Sequence, residues 1–331
     1  MNFSSISKCI DALNKTSPFE IKVIQSEEAG CELYSSKDEY TIILGEQVET
    51  LLYLYCYASK DSFRKYLCQS IYARHSMYEK ALCILKDLHK SHNLVNSILA
   101  RIKQNLNNDL LSNMTMLSIF HEIAHIVFSV DKDTSTSYFT DVYNRIESLR
   151  TSLETSYSED NPIVNQIHLG IKLASENELN TAEEIACDCY AIDVVFKLNG
   201  IFKFSTKQVL NYCLAAINLL TCMYQVEFLN RTAHSDDNAI FDEVLAKFSI
   251  RRTIAFSRMI DILSDEYGIN IYKLDKMCKR IVPSIQNILQ LKKLAETMAI
   301  EINNRDWRVK DENKHIYLNE LKQFEKLYTT N

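Results

Sequence analysis

The sequence predicts a mainly helical protein with a small β-sheet near its N-terminus, an α+β fold. Glycine occurs only 5 times and proline only 3 times in 331 residues, so the chain has few of the turn-forming residues that tight hairpins need. Hydrophobic residues make up 47% of the chain, enough to bury a substantial core. Short apolar runs typical of strands occur only before Glu46, and the pattern is helical after it.

The N-terminal elements follow from apolar runs that Gly30 and polar turns separate. We expect a helix over residues 3–14, then strands over residues 19–25, 31–35 and 40–44. Helical spacing begins at Glu46 and continues to about residue 108.

Further along, the pattern predicts a helix over residues 109–130. Loop-like compositions at 131–137 and 155–162 isolate a helical piece around 142–153. Helices over 181–198 and 209–229 follow, the first ending at Asn199 and Gly200, and two amphipathic helices lie beyond Pro283. We therefore predict three parts: an N-terminal α/β part (1–108), a helical core (109–260) and a C-terminal helical extension (261–331).

Charge and composition argue against several classes of protein. The formal net charge is −6 and the basic pairs are isolated, so nucleic-acid binding is not expected. The N-terminus lacks a basic region followed by an apolar run, which favours a cytoplasmic location. Polar residues recur every seven positions in the helix over 209–229, as in a soluble bundle, so no membrane span is expected. The ten cysteines are scattered through helical segments and are expected to be free thiols.

One stretch, LSIFHEIAHIV, carries candidate metal chemistry. His121 and His125 are one helical turn apart on one face, so both imidazoles can reach one tetrahedral zinc ion, and Glu122 lies beside them. The neighbouring residues are apolar on almost every side, so these polar groups need a buried partner. The alternative is an amphipathic helix with surface histidines.

The best third ligand lies in TAEEIACDCYAID. Glu184 and Asp188 are four residues apart, so Glu184 can complete the site while Asp188 accepts the free N–H of a ligand histidine. The alternative is that Thr181 and Glu184 form a capping box. Asn180 and Glu183 have the same cap spacing, however, which leaves Glu184 free.

Other candidate ligands are weaker. Asp131 stands ten residues after His121, where some zinc peptidases place a ligand, but no glycine precedes it to bend the chain. His168 is isolated. Cys187 and Cys189 flank Asp188 but point to different sides of the helix, so at most one could join the site.

FHEIAH, followed about sixty residues later by EIACDCYAI, resembles the zinc peptidases of the gluzincin type. Their second motif is E-x-x-A-D-x-x-A, and here Cys187 stands where alanine is usual. The resemblance implies that Zn²⁺ is bound by two histidines and a glutamate, with a glutamate general base and an aspartate behind one histidine. Carried over, these residues are His121, His125, Glu184, Glu122 and Asp188.

The resemblance also implies a zincin-like catalytic core with added C-terminal helices. Soluble phage-exclusion (Lit-like) and anti-repressor peptidases are similar in kind. Such families often carry a later histidine that steadies the transition state, and RTAHSDD offers His234, with Arg251 and Arg252 downstream. Tyr190 is another candidate donor. A peptide substrate is expected to add a strand to a sheet edge, for which YTIIL is the best candidate.

The sequence thus favours a zinc-dependent peptidase that hydrolyses a peptide bond in an intracellular protein. A catalytically silent helical interaction protein is the alternative, and hydrolysis of a small amide uses the same ligands. Nothing in the residues indicates the oligomeric state or the substrate.

Overall fold

The structure is a computed structural model. It describes residues 10–11, 14, 20–26, 31–36, 39–102, 109–156, 162–176, 180–202, 206–232, 238–268, 285–305 and 312–329. Most of the helix predicted over residues 3–14 lies outside these ranges, and so does His234.

The predicted small N-terminal sheet is confirmed. Its strands are β1 (Glu20–Ser26), β2 (Cys31–Ser36) and β3 (Glu39–Gly45), paired in the order β1-β3-β2. The β1 strand is parallel to β3 and β2 is antiparallel to it. YTIIL therefore lies in the central strand, whose hydrogen-bonding edges β1 and β2 already occupy. The prediction that YTIIL forms a free edge for a peptide is wrong.

The rest of the described chain is helical, as predicted. In chain order the helices are α1 (Glu46–Tyr57), α2 (Lys60–Arg74), α3 (Tyr78–Ile102), α4 (Asp109–Val130), α5 (Lys132–Ser156), α6 (Pro162–Ser175), α7 (Thr181–Phe202), α8 (Thr206–Thr232), α9 (Asn238–Tyr267), α10 (Ile285–Asn303) and α11 (Lys314–Thr329).

Two predicted boundaries are wrong. Residues 132–137, expected to be a loop, form the start of α5, because Asp131 caps that helix. Its carboxylate accepts hydrogen bonds from the backbone N–H groups of Asp133 at 3.1 Å and Thr134 at 3.0 Å. Helix α7 also continues to Phe202, past the expected end at Asn199 and Gly200.

The chain divides into two compact units, and the first is discontinuous in sequence. It comprises residues 1–112, 229–236 and 290–331. Helix α11 packs against α1 and α3. Buried polar contacts join it to α2: the Tyr66 hydroxyl donates to Glu325 at 2.6 Å, and the Tyr317 hydroxyl donates to Gln69 at 2.7 Å.

The second unit comprises residues 113–228 and 237–289. Helices α5, α6, α7 and α9 surround a core that includes Ile146, Ile185 and Ile254, all at most 2% exposed. Helices α6 and α9 approach closely at Gly170, where an added Cβ would lie 2.6 Å from the carbonyl oxygen of Ala246. The division into 1–108, 109–260 and 261–331 stays a prediction about domains.

Two segments, Leu110–Val130 and Gln208–Arg231, are long and apolar enough to cross a membrane by length and composition alone. Two-thirds of each apolar window is buried within the protein, and core helices of soluble proteins pass the same test. The cytoplasmic location and the absence of a membrane span therefore stay predictions.

Candidate metal centre

The predicted pair of histidines lies on α4, which begins and ends where the sequence indicated. Its core-facing residues fix its position, because Ile119, Phe120 and Ile123 are each only 1% exposed. One turn apart on this helix, the His121 and His125 rings lie edge to face with centroids 5.2 Å apart. Both imidazoles thus extend from one face of a well-anchored helix.

Glu184, on α7, faces both imidazoles. Its two carboxylate oxygens lie 3.5 Å from Nε2 of His121 and 3.7 Å from Nε2 of His125. One ligand atom from each of the three residues can be chosen so that all lie within 4.8 Å of one another. A tetrahedral zinc ion with bonds of about 2.1 Å separates its ligand atoms by about 3.4 Å, close to these spacings. The group therefore has the size and donor types that suit a metal ion.

The other ring nitrogen of each histidine faces a second carboxylate. Nδ1 of His121 lies 2.9 Å from Asp188, and Nδ1 of His125 lies 3.0 Å from Glu183. The His121 contact is close, but its N–H is not well aligned with the carboxylate, so it is better described as an ion pair. A proton held at Nδ1 leaves the Nε2 lone pair free for a metal.

Glu183 is the partner that sequence reasoning missed. The cap spacing from Asn180 suggested that Glu183 satisfies the start of α7, but its carboxylate contacts His125 instead. Asn180 has a φ of 52°, in the left-handed region rather than the extended conformation of an N-cap residue. The acidic pair Glu183-Glu184 was visible in the sequence, but which member faced which histidine was not.

Arg251 is the second missed partner. On α9, it donates two hydrogen bonds to Asp188, at 2.8 and 2.9 Å, and lies 2.9 Å from Glu184. Burial alone raises the pKa of both carboxyls, but Arg251 and His121 more than offset this and hold both pKa values below their ordinary range. Both carboxylates are therefore ionised at neutral pH.

The pKa values of His121 and Glu122 are both raised, for different reasons. Burial lowers the pKa of His121, but its contacts with Asp188 and Glu184 outweigh this and raise it to about 9. Burial raises the pKa of Glu122, against the opposing charges of His121 and His125. The pKa of Glu122 therefore lies nearer neutrality than that of an ordinary glutamate.

The net charge of the cluster also favours binding of a cation. Among the described residues around Glu184, four carboxylates (Glu122, Glu183, Glu184 and Asp188) face one guanidinium, that of Arg251. His121, whose pKa is about 9, adds one positive charge at neutral pH, and a metal would displace that proton on binding, so the cluster carries an excess of negative charge in either form. Unpaired buried charge is costly, and a divalent cation removes most of the excess.

Exposure differs across the cluster. The side chains of His121 and Asp188 are 6% and 8% exposed, whereas those of His125 and Glu183 are 24% and 41% exposed. The cluster is therefore closed on the Asp188 side and open to solvent on the side of His125 and Glu183.

The alternative ligands have other surroundings. The carboxylate of Asp131 caps α5, and His168 is not part of the metal-sized group among the described residues. Cys187 and Cys189 are free thiols, as expected. The Cys187 sulfur lies 3.5 Å from Nδ1 of His125, the ring nitrogen that does not face Glu184. Burial raises the pKa of this thiol.

The sequence offers two candidate transition-state donors, His234 and Tyr190. His234 lies outside the described residues. The Tyr190 ring packs against the rings of Phe128 and Tyr138, with centroids 5.7 and 5.4 Å away. The role of either residue as a donor stays a prediction.

No protein-family model, curated protein or solved structure matches this chain. The resemblance to the gluzincin-type peptidases therefore stands on the two sequence motifs.

Proposed function

We propose that the protein is a zinc-dependent peptidase that hydrolyses a peptide bond in a protein or peptide substrate in the cytoplasm. One observation carries the proposal: one ring nitrogen from each of His121 and His125 and a carboxylate oxygen of Glu184 lie within 4.8 Å of one another. Two nitrogens and one oxygen on a helical scaffold are a donor set typical of catalytic zinc. The neighbouring Glu122 supplies a base, and the cluster is open on one side.

His121, His125 and Glu184 would hold the ion. When bound, zinc supplies Lewis-acid chemistry: it lowers the pKa of water and polarises a carbonyl oxygen. Asp188 and Glu183 face the Nδ1 atoms of His121 and His125, and these contacts orient the two imidazoles. Each of the two histidines thus has a carboxylate next to the ring nitrogen that does not bind the metal.

Glu122 carries the proton transfer in this mechanism. It accepts a proton from the attacking water and delivers it to the leaving nitrogen of the peptide. Its raised pKa brings it closer to the range in which one group can both accept and donate a proton. The substrate enters from the solvent-exposed side, past His125 and Glu183.

The first test is the zinc content of the purified full-length chain, measured by elemental mass spectrometry. Wild type should hold about one zinc per chain, and Glu184→Ala should lose it. Asp131→Ala is the matched control, because it removes the alternative carboxylate ligand and should leave the zinc in place. A wild-type chain that takes up no zinc, even after addition and dialysis, would refute the proposal.

The second test separates metal binding from catalysis. Casein and a fluorogenic peptide library serve as substrates. Glu122→Gln should retain zinc and lose cleavage, whereas His125→Ala should lose both. Cleavage by Glu122→Gln at the wild-type rate would show that Glu122 is not the base.

A further inference from the structure

Arg251 has no surface left for a substrate. It is 1% exposed, its guanidinium spans Asp188 and Glu184, and its charge lies 4.9 Å from the centre of the Phe248 ring. Its burial directs it to the carboxylates of the cluster rather than to a substrate.

The guanidinium contacts both carboxylates that lie next to His121, those of Asp188 and Glu184. The planar fork donates from Nε and Nη2 to the two oxygens of Asp188, which faces Nδ1 of His121. Its remaining nitrogen, Nη1, lies 2.9 Å from Oε2 of Glu184. The other oxygen of Glu184, Oε1, faces Nε2 of His125. One side chain on α9 thus fixes the rotamers of two acidic side chains on α7.

We propose that Arg251 is a positioning residue that orients Glu184 as a metal ligand and Asp188 as the partner of His121. This proposal rests on the zinc site proposed above. The planar five-donor fork suits the task, because a lysine ammonium is a point charge that cannot hold two carboxylates in fixed directions.

Positioning and simple electrostatics predict opposite results when Arg251 is replaced. A positive charge beside a metal site repels the incoming cation, so by charge alone Arg251→Met should tighten metal binding and Arg251→Lys should leave it unchanged. If Arg251 positions the ligands, both variants weaken binding. Changes in residues that orient metal ligands typically cost 10- to 100-fold in affinity.

Arg258 offers a matched control on the same helix. It forms the same kind of fork, donating to the two oxygens of Asp193 on α7 at 2.8 and 2.7 Å. Asp193 is not part of the metal-sized group. Arg258→Met therefore removes an ion pair between α7 and α9, Arg258→Lys removes only the fork, and neither change touches a ligand.

The experiment measures Co²⁺ and Zn²⁺ affinity of the full-length chain by competition with a chelator, together with the visible absorption spectrum of the Co²⁺ form. Both Arg251 variants should bind at least about tenfold more weakly, with a changed spectrum. Both Arg258 variants should keep wild-type affinity and spectrum, even where their unfolding temperature falls. The spectrum reports ligand geometry, which a loss of general stability does not alter.

Affinity of Arg251→Met at or above that of wild type, or an unchanged spectrum in Arg251→Lys, would overturn the positioning role and leave the metal site intact. A wild-type chain that binds neither ion would overturn the metal site itself, so the two failures are distinguishable. If Arg251→Met does not fold, Arg251→Lys decides the question, because it keeps the charge and loses only the fork.

Discussion

Replacing Gly170 by alanine should destabilise the second unit by forcing α6 and α9 apart. The new Cβ would lie 2.6 Å from the backbone oxygen of Ala246, and 2.8 and 3.0 Å from two carbons of Ile250. Overpacking a tight contact costs about 1–3 kcal/mol, and a backbone oxygen cannot rotate away, which favours the upper end. Alanine in a helix interior recovers about 1 kcal/mol relative to glycine. The net loss is about 2 kcal/mol, the difference between these two estimates.

The assay is urea unfolding followed by circular dichroism, with metal affinity measured in parallel. Ile250 precedes Arg251 on α9, so Gly170→Ala should also weaken metal binding. Gly268→Ala is the control: it has a φ of 56° with no atom within 4 Å of an added Cβ, so it tests backbone strain without a clash. That strain costs about 1–2 kcal/mol and should leave metal affinity unchanged. A Gly170→Ala chain as stable as wild type would refute the reasoning, since it would show that the helices part without cost.

Two further changes test features away from the metal centre. Tyr66→Phe removes the buried hydroxyl that donates to Glu325 and should lower the free energy of unfolding, measured in urea, by about 1.5–3 kcal/mol. An unchanged urea midpoint would contradict this. Burial and the charge of Glu325 raise the pKa of Tyr66 well above 10, so above about pH 10 the unfolded chain releases a proton that the folded chain retains. Stability should therefore fall as the pH rises there, and less steeply in Tyr66→Phe. Asp131→Ala should lower the thermal midpoint by removing the cap of α5. The capping hydrogen bonds lower the pKa of Asp131, so the difference in thermal midpoint between wild type and Asp131→Ala should disappear when the pH falls below the ordinary pKa of an aspartate. An advantage that persisted in acid would show that the charge of Asp131 is not what stabilises the helix.

Local pattern was sufficient for the parts of the site that lie within one helix. The spacing of His121 and His125 places them on one face whatever surrounds the helix, and the same holds for Glu184 and Asp188. The bounds of α4 followed from the length of its apolar run. The confirmed strands likewise followed from short runs of β-branched and aromatic residues.

The sequence pattern could not predict contacts between residues that lie far apart in the chain. Arg251 meets Asp188 only because α9 crosses α7, and nothing near either residue encodes that crossing. Glu183 and Glu184 are adjacent, so a small rotation of α7 decides which of them faces which ring. The same limit applies to the sheet: a strand's own residues show that β3 is a strand, but not that it has a neighbour on each side.

The discontinuity of the first unit bears on how the chain folds as it is made. Residues 113–228 and 237–289, which form the second unit, are synthesised before residues 290–331. The second unit can therefore begin to pack, and its candidate metal ligands can meet, while the first unit still lacks α11 and most of α10. Until α11 arrives, Tyr66 and Gln69 have no Glu325 or Tyr317 to bond. We expect a released chain that ends at residue 289 to bind metal at the second unit while α2 remains open to proteolysis.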